Sequence, residues 1–474
     1  MGGFWAGFEK QALLRKEVEL QPHQERAARK LDRSGGLLVY HGLGSGKTLT
    51  SLAATQGERT DVVVPAALRG NYQKEVQKHT TGHHPNVMSY EGAVKSPGTG
   101  DSLVIDEAHN LGDVSSKRTQ AMMRQAPGYS KRMLLTGTPI KNRPSELAPL
   151  MSIVRGDRAM PTDPKKFDEQ FIQEEMHEPG FFAKHFRGAK PGVTYRIKNQ
   201  DKFQKLVEGY TDYHAPSSEN FPSVSHELIE TPMSKEQNNY YNFAMGKAGP
   251  ALRWKIKSGL PPSKSEAKSL NAFLSGVRQV SNSTKAYGGT GVSPKIERAV
   301  SELAARHDKD KNFRGLVYSN YLDSGLNSYS DELKRRNIEH ALFTGELSDK
   351  QRKQVVDDYN AGKLRALLVS GAGAQGLDLK GTKLVQLLEP HFHDTRLEQA
   401  TGRAVRYGSH AHLPENERNV HVQRFHSTVP QGLLQKITGD KDVSADQYLD
   451  QMSKRKEALN SQFTDILKRV GQKE

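Results

Sequence analysis

A chain of 474 residues is long enough for two or three domains with proper cores, and 35% hydrophobic with 26% charged residues is ordinary soluble composition. The absence of cysteine excludes disulfides, thiol nucleophiles and iron–sulfur clusters, while the formal charge of +15 favours a polyanionic partner only weakly until motifs join it. The longest apolar runs are strand-sized, and MGGFWAGFEKQALLRKE shows no basic leader before a long apolar core, so neither a secretory signal nor a membrane span is expected, and an intracellular or virion setting follows.

In chain order, Phe4, Trp5, Phe8 and Ala12 form a small apolar stripe, expected either to pack on the first domain or to dock another protein. LLVY (Leu37 to Tyr40) reads as a buried strand and TLTSLAAT as a helix start, with HGLGSGKT between them. This strand–loop–helix supplies what a phosphate cradle needs: Gly42, Gly44 and Gly46 let backbone N–H groups turn inward, Lys47 sits at the apex, and Thr48 offers a hydroxyl to a magnesium ion. The first glycine of the usual G-x-x-x-x-G-K-[ST] pattern is replaced by His41. Further strands are expected at Asp61 to Val64, Ser102 to Asp106 and Met133 to Gly137. Asp106 ends its strand where a carboxylate reaches the metal through water, and Glu107 beside it is placed to act as general base. Thr136 and Thr138, in the turn LLTGTPIKN, are placed to hydrogen-bond to the Asp-Glu-Ala-His segment.

From residue 154 to 293 the strand pattern weakens, and this stretch reads as a mostly helical insertion with a basic loop at Lys255 to Lys268, either solvated or touching nucleic acid. The α/β pattern then returns in a second copy, with strands at Gly315 to Asn320, Ala341 to Gly345, Ala366 to Gly371, Leu384 to Pro390 and Val420 to Phe425. RLEQATGRAVRYGS puts Gln399, Arg403 and Arg406 on one helix, the arginines three apart and on one face, suited to a charged phosphoryl transition state. In the tail, Tyr448, Leu449, Met452, Leu459, Phe463 and Leu467 fall near helical spacing, and the helix is expected to dock on the second domain.

The ordered series LQPHQ, HGLGSGKT, VVVPAALRGNYQKEV, VIDEAH, LTGTPIKNRPSEL, LVYSN, FTGELSDKQR, LVSGAGAQGLDL and EQATGRAVRYGS resembles the motifs of superfamily two helicases over about Leu20 to Phe425. Within them it is most similar to the Swi/Snf-like DNA translocases. The T-G-T-P-I-x-N turn, ELIETPMSKEQNNYY (Glu227 to Tyr241) and SADQYLDQMSKRKEAL favour that branch, and the H-G-x-G-[ST]-G-K-T loop is similar to those of virus- or phage-encoded members. The resemblance implies two RecA-like doubly wound parallel-sheet lobes at 20–153 and 294–427, a mostly helical insertion at 154–293, an N-terminal amphipathic segment at 1–19 and a C-terminal helical tail at 428–474.

It also implies roles. Gln24 would read adenine; Gly44, Ser45, Gly46, Lys47 and Thr48, with Gly376 and Asp378 of the second lobe, would hold ATP; Thr48 and Asp106 would hold Mg2+. Lys47, Asp106, Glu107, Gln399, Arg403 and Arg406 would carry hydrolysis, the arginines as fingers reaching the nucleotide from the opposite lobe. Pro65, Arg69, Asn71, Lys141, Asn142, Thr344, Gly345, Ser370 and Gly371 would touch the nucleic-acid backbone. The expected activity is an ATP-dependent translocase that moves along duplex DNA and remodels protein–DNA complexes in viral or phage transcription or replication, with low sequence specificity because the contacts are to backbone. The alternatives are a strand-separating DNA or RNA helicase and a nucleotide-gated interaction scaffold.

Overall fold

The computed structural model describes residues 14, 18–42, 44–177, 192–215, 221–289, 293–310, 312–371, 377–390, 401–402, 404–405, 408–431 and 442–473. The chain divides into two units, one of residues 1–173, 195–217 and 456–474 and one of residues 174–194 and 218–455.

The first unit is built on β1 (Gly36–His41), β2 (Thr60–Val64), β3 (Asn86–Ser89), β4 (Ser102–Ile105) and β5 (Lys131–Thr136). The strands β6 (Ile172–His177) and β7 (Gly192–Ile197) form a separate two-stranded sheet, and β8 (Thr211–His214) completes the first unit's sheet in the order β3-β2-β4-β5-β1-β8, with every pairing parallel. The second unit's sheet comprises β9 (Ser223–Pro232), β10 (Gly315–Ser319), β11 (His340–Phe343), β12 (Ala366–Ser370), β13 (Leu384–Leu387) and β14 (Asn419–Thr428), ordered β11-β12-β10-β13-β14-β9 and again wholly parallel.

Parallel strands need helical crossovers on the faces of the sheet, which is why the strand centres are apolar on both sides. In β1, Leu37 and Val39 face one core cluster and Leu38 the other; in β10, Leu316 and Tyr318 divide from Val317 in the same way. The helix Leu147–Arg155 packs so closely on β1 that a Cβ on Gly36 would lie 1.8 Å from the Val154 carbonyl oxygen, so glycine is required there.

One expectation needs refining and two need correction. Helices make up most of the regular structure described for the stretch 154–293, as expected, but two of its strands belong to the main sheets: β8 joins the edge of the first and β9 pairs with β14 over ten residues at the edge of the second. Neither carries the apolar run by which a strand is recognised, since TDYH is polar and β9 is exposed along most of its length. The basic loop at Lys255 to Lys268 is largely helix, formed by the end of Pro250–Lys257 and the start of Lys264–Asn282. Lys255 there is buried against Glu266 at 2.7 Å. The tail helix Ala445–Gly471 does not belong to the second unit alone. Tyr448 and Leu449 join that unit's helical core, whereas Leu459, Phe463, Ile466, Leu467 and Val470 fill the core of the first. The stripe of Phe4, Trp5, Phe8 and Ala12 lies outside the described residues.

Candidate nucleotide site

In an open parallel sheet, ligands gather at the carboxyl ends of the strands. The loop after β1, Asp106 after β4 and the Thr136 turn after β5 all occupy that edge of the first unit. Gly44 and Gly46 take positive φ values of 77° and 70°, the latter as N-cap of the helix Lys47–Ala54. Ser45 Oγ donates to the Gly42 carbonyl at 2.8 Å, and Lys47 Nζ lies inside the turn, donating to the carbonyls of His41 and Gly42 at 3.1 Å each. Burial lowers the Lys47 pKa, opposed by the charges of Glu107 and Asp106.

The helix Pro22–Ser34 brings Gln24 to this loop. Its Oε1 accepts the Gln21 N–H at 2.9 Å, closing the helix N-terminus, and its Nε2 lies 3.4 Å from the carbonyls of Ser45 and Gly46. A Cβ on Gly46 would meet that Nε2 at 2.6 Å, so the third loop glycine is fixed by both its φ and this approach.

Burial raises the Asp106 carboxyl to about 6, with the neighbouring Glu107 charge adding to the effect. Its Oδ1 accepts the Glu107 N–H at 2.9 Å. Glu107 has φ 51°, in the left-handed region, and the Tyr90 hydroxyl donates to the carbonyls of both Asp106 and Glu107 at 2.7 and 3.1 Å. His109 Nδ1 is 3.1 Å from Thr136 Oγ1 and 3.3 Å from Glu107 Oε2. Burial, then Lys141 and Lys47, push the ring down to about 3, so it is neutral. Thr136 therefore makes the expected link to the Asp-Glu-Ala-His segment; Thr138 is exposed, and its backbone N–H donates to Thr136 Oγ1 at 3.1 Å.

Arg69 and Asn71 are exposed on the helix Arg69–His79, and Pro65 follows β2 half-buried. Lys141 is half-buried, with Nζ 3.3 Å from Asn110 Oδ1, while Glu146 accepts the backbone N–H groups of Lys141 and Asn142 at 2.7 and 2.9 Å. In the second unit Thr344 and Gly345 follow β11, and Ser370 ends β12 with Gly371 next, so four of the expected backbone-contact residues share the carboxyl edge of that sheet. Asp378 is exposed, its carbonyl accepting from Asn360 Nδ2 at 3.0 Å. Gly376, Gln399, Arg403 and Arg406 lie outside the described residues. Sequence reading missed His23, Asp212 and His214, which stand behind the loop; only the histidine in place of a glycine hinted that something must hold it.

Residues 93–286 match the SNF2-related domain and residues 294–408 the helicase conserved C-terminal domain. The chain thus carries, in this order, the two domains that SNF2-related helicase-like ATPases carry, and it is similar to them. The first match includes Asp106 and Glu107 and begins after the phosphate loop. Several similar proteins are viral. A protein of Acanthamoeba polyphaga mimivirus with the provisional name ATP-dependent RNA helicase L538 is 28% identical over 95% of this chain and 97% of its own length. A termination factor NPH-I homolog of African swine fever virus is 24% identical over 93% of this chain and 76% of its own. The SWI2/SNF2 ATPase core of Sulfolobus solfataricus, solved with double-stranded DNA, is 18% identical and covers 95% of this chain and 97% of that one, at a TM-score of 0.36 too low to bear on which nucleic acid this ATPase grips. With both domains present and helicase and termination-factor relatives, the chain is a nucleic-acid-dependent ATP hydrolase. No described helix is long and apolar enough to cross a membrane.

Proposed function

We propose that the chain is a DNA translocase that uses ATP hydrolysis to move along duplex DNA inside an infected cell and to displace what is bound there. The observation that supports this reading is the match of residues 93–286 to the SNF2-related domain. The charge of +15 supports a partner held through its phosphates rather than its bases.

In the hydrolytic step Lys47 and the inward-facing N–H groups of Gly44 to Thr48 bind the phosphates. Glu107, fixed by Tyr90 through its own carbonyl, takes the proton of the attacking water, and neutral His109 steadies its carboxylate without adding charge. Asp106 and Thr48 fit Mg2+, because they are hard oxygen donors and Asp106 is a buried carboxylate beside a second one, a pairing that a cation relieves. Bound there, the ion would neutralise phosphate charge. The resemblance supports Arg403 and Arg406 as the donors to transition-state charge: Arg403→Ala or Arg406→Ala should slow hydrolysis by roughly a thousandfold while sparing nucleotide affinity. Equal losses in affinity and rate would assign them to ground-state phosphate.

A second reading, an RNA-directed helicase, is favoured by the mimivirus relative's name. Steady-state ATPase assays with duplex DNA, single-stranded DNA and RNA in parallel decide between them. Duplex DNA should stimulate at least as well as single strands; stimulation by RNA alone would establish the second reading.

A further inference from the structure

Behind the phosphate loop lies a buried polar cluster that hydrolysis does not use. His41 Nε2 donates to Asp212 Oδ1 at 2.7 Å, and neither side chain has any exposed surface. Asp212 belongs to β8, whose His214 pairs in register with His41. The next backbone N–H of the loop, that of Gly42, donates to the His214 carbonyl at 2.9 Å. The His214 ring stacks on His23 at 3.7 Å, and His23 Nε2 is 2.8 Å from the Ser45 carbonyl. Three successive parts of the loop are thus referred to one short edge strand.

His41 Nδ1 is buried with no hydrogen-bond partner among the described residues, which leaves Nε2 as the ring's donor; burial lowers the ring's pKa against the pull of Asp212. The Nε2–H therefore points at Asp212, and a buried donor of this kind must be answered. We propose that Asp212 is a positioning residue for ATP: acting through His41, it fixes the first loop position, whose carbonyl, with that of Gly42, sets where Lys47 Nζ stands. A glycine at this position would leave the backbone free to settle around phosphate; a histidine takes that freedom away and replaces it with an anchor in β8. The competing explanation is that Asp212 only neutralises its cationic neighbours, since Arg26 Nε reaches it at 2.8 Å and Lys30 Nζ at 3.0 Å.

The inference rests on the loop being the ATP site, so Lys47→Ala is measured alongside. ATPase KM, kcat and melting temperature are determined for the full chain and for D212N, H41L, H41Q, H41L/D212N and Lys30→Met. D212N and H41L should each raise KM for ATP about tenfold with kcat within about threefold, and the double variant should lose no more than either alone. H41Q keeps a donor near the Nε2 position and should recover most of the affinity that H41L loses. Lys30→Met leaves His41 and Arg26 on Asp212, and should lower the melting temperature with KM within about twofold. Losses that multiply in the double variant, or a D212N protein that melts lower with unchanged KM, would overturn the proposal. Should D212N fail to fold, H41L and H41Q decide it alone: equal KM values for the two overturn it. A Lys47→Ala enzyme with wild-type KM would instead remove the loop from the ATP site, and the proposal with it.

Discussion

Glu107 pays a conformational cost to be where it is. A non-glycine residue at φ 51° gives up about 1–2 kcal/mol, and the Tyr90 hydroxyl, donating to the Asp106 and Glu107 carbonyls that flank Glu107, keeps it there. Glu107→Gln preserves shape and most hydrogen bonding but cannot accept a proton, so it should bind ATP normally and lose nearly all turnover; turnover within a few-fold of wild type would remove Glu107 as the base. The acidic pair and the lysine could be singled out from residue type and spacing, and Gln24 only through the resemblance to helicase motifs; the structure sets the acidic pair and the lysine at one edge of the first sheet, with Gln24 beside the loop. Asp212 could not be singled out, because its partners Arg26 and His41 lie 186 and 171 residues away in sequence. The cluster behind the loop also titrates. Burial, then His23, His41 and Arg26, hold the His214 pKa near 4, against 6.5 for a free ring. The folded chain therefore binds fewer protons than the unfolded one between those values, and the stability that His214 contributes above pH 6.5 is lost as pH falls through that window. The melting temperature of His214→Gln should accordingly fall less than that of the wild type between pH 7 and 4.5; parallel slopes for the two proteins would count against this assignment.

Elements announced themselves where burial is two-sided. The central strands of both sheets are continuous apolar runs, as strands covered on both faces must be, and their positions follow from the sequence to within two or three residues. The edge strands β8 and β9 have no such signature: β9 faces water along most of its length, and β8, though its first two residues are buried, is made of polar residues. The tail helix shows the limit of periodicity from another side. Its apolar spacing gives the helix and its buried face, but a spacing holds no address, and its second half serves the first unit's core. There Phe463 is fully buried, its ring 5.0 Å from Phe203 and 5.9 Å from Phe167. Phe463→Ala should destabilise the first unit by about 3–5 kcal/mol, read as a lower denaturant midpoint for the transition in which that unit unfolds. An unchanged midpoint would mean that the helix end contributes nothing to that core.

At the scale of the whole molecule, the doubled α/β pattern and the order of the motifs gave the two parallel sheets, while the path of the chain between them, which leaves the first unit at residue 173 and returns to it twice, is a property of long-range contacts that no local window holds. What the assembled molecule does to nucleic acid is the remaining question, and its charge sharpens the answer. A protein of formal charge +15 that binds through phosphates releases counterions on binding, so its affinity should fall with salt on a steep logarithmic slope, about 0.9 per phosphate neutralised on duplex DNA. Tracking on an intact duplex and prising strands apart place different demands on the protein: the first needs backbone contacts alone, the second also needs a wedge that pays for unstacking. A translocase of the proposed kind should therefore displace the third strand of a triplex in an ATP-dependent, salt-sensitive way, and Glu107→Gln should abolish that displacement. Forked and blunt duplexes should stay paired under the same conditions. Efficient separation of a forked duplex at low salt, with no triplex displacement, would sink the translocase reading and leave the strand-separating helicase in its place.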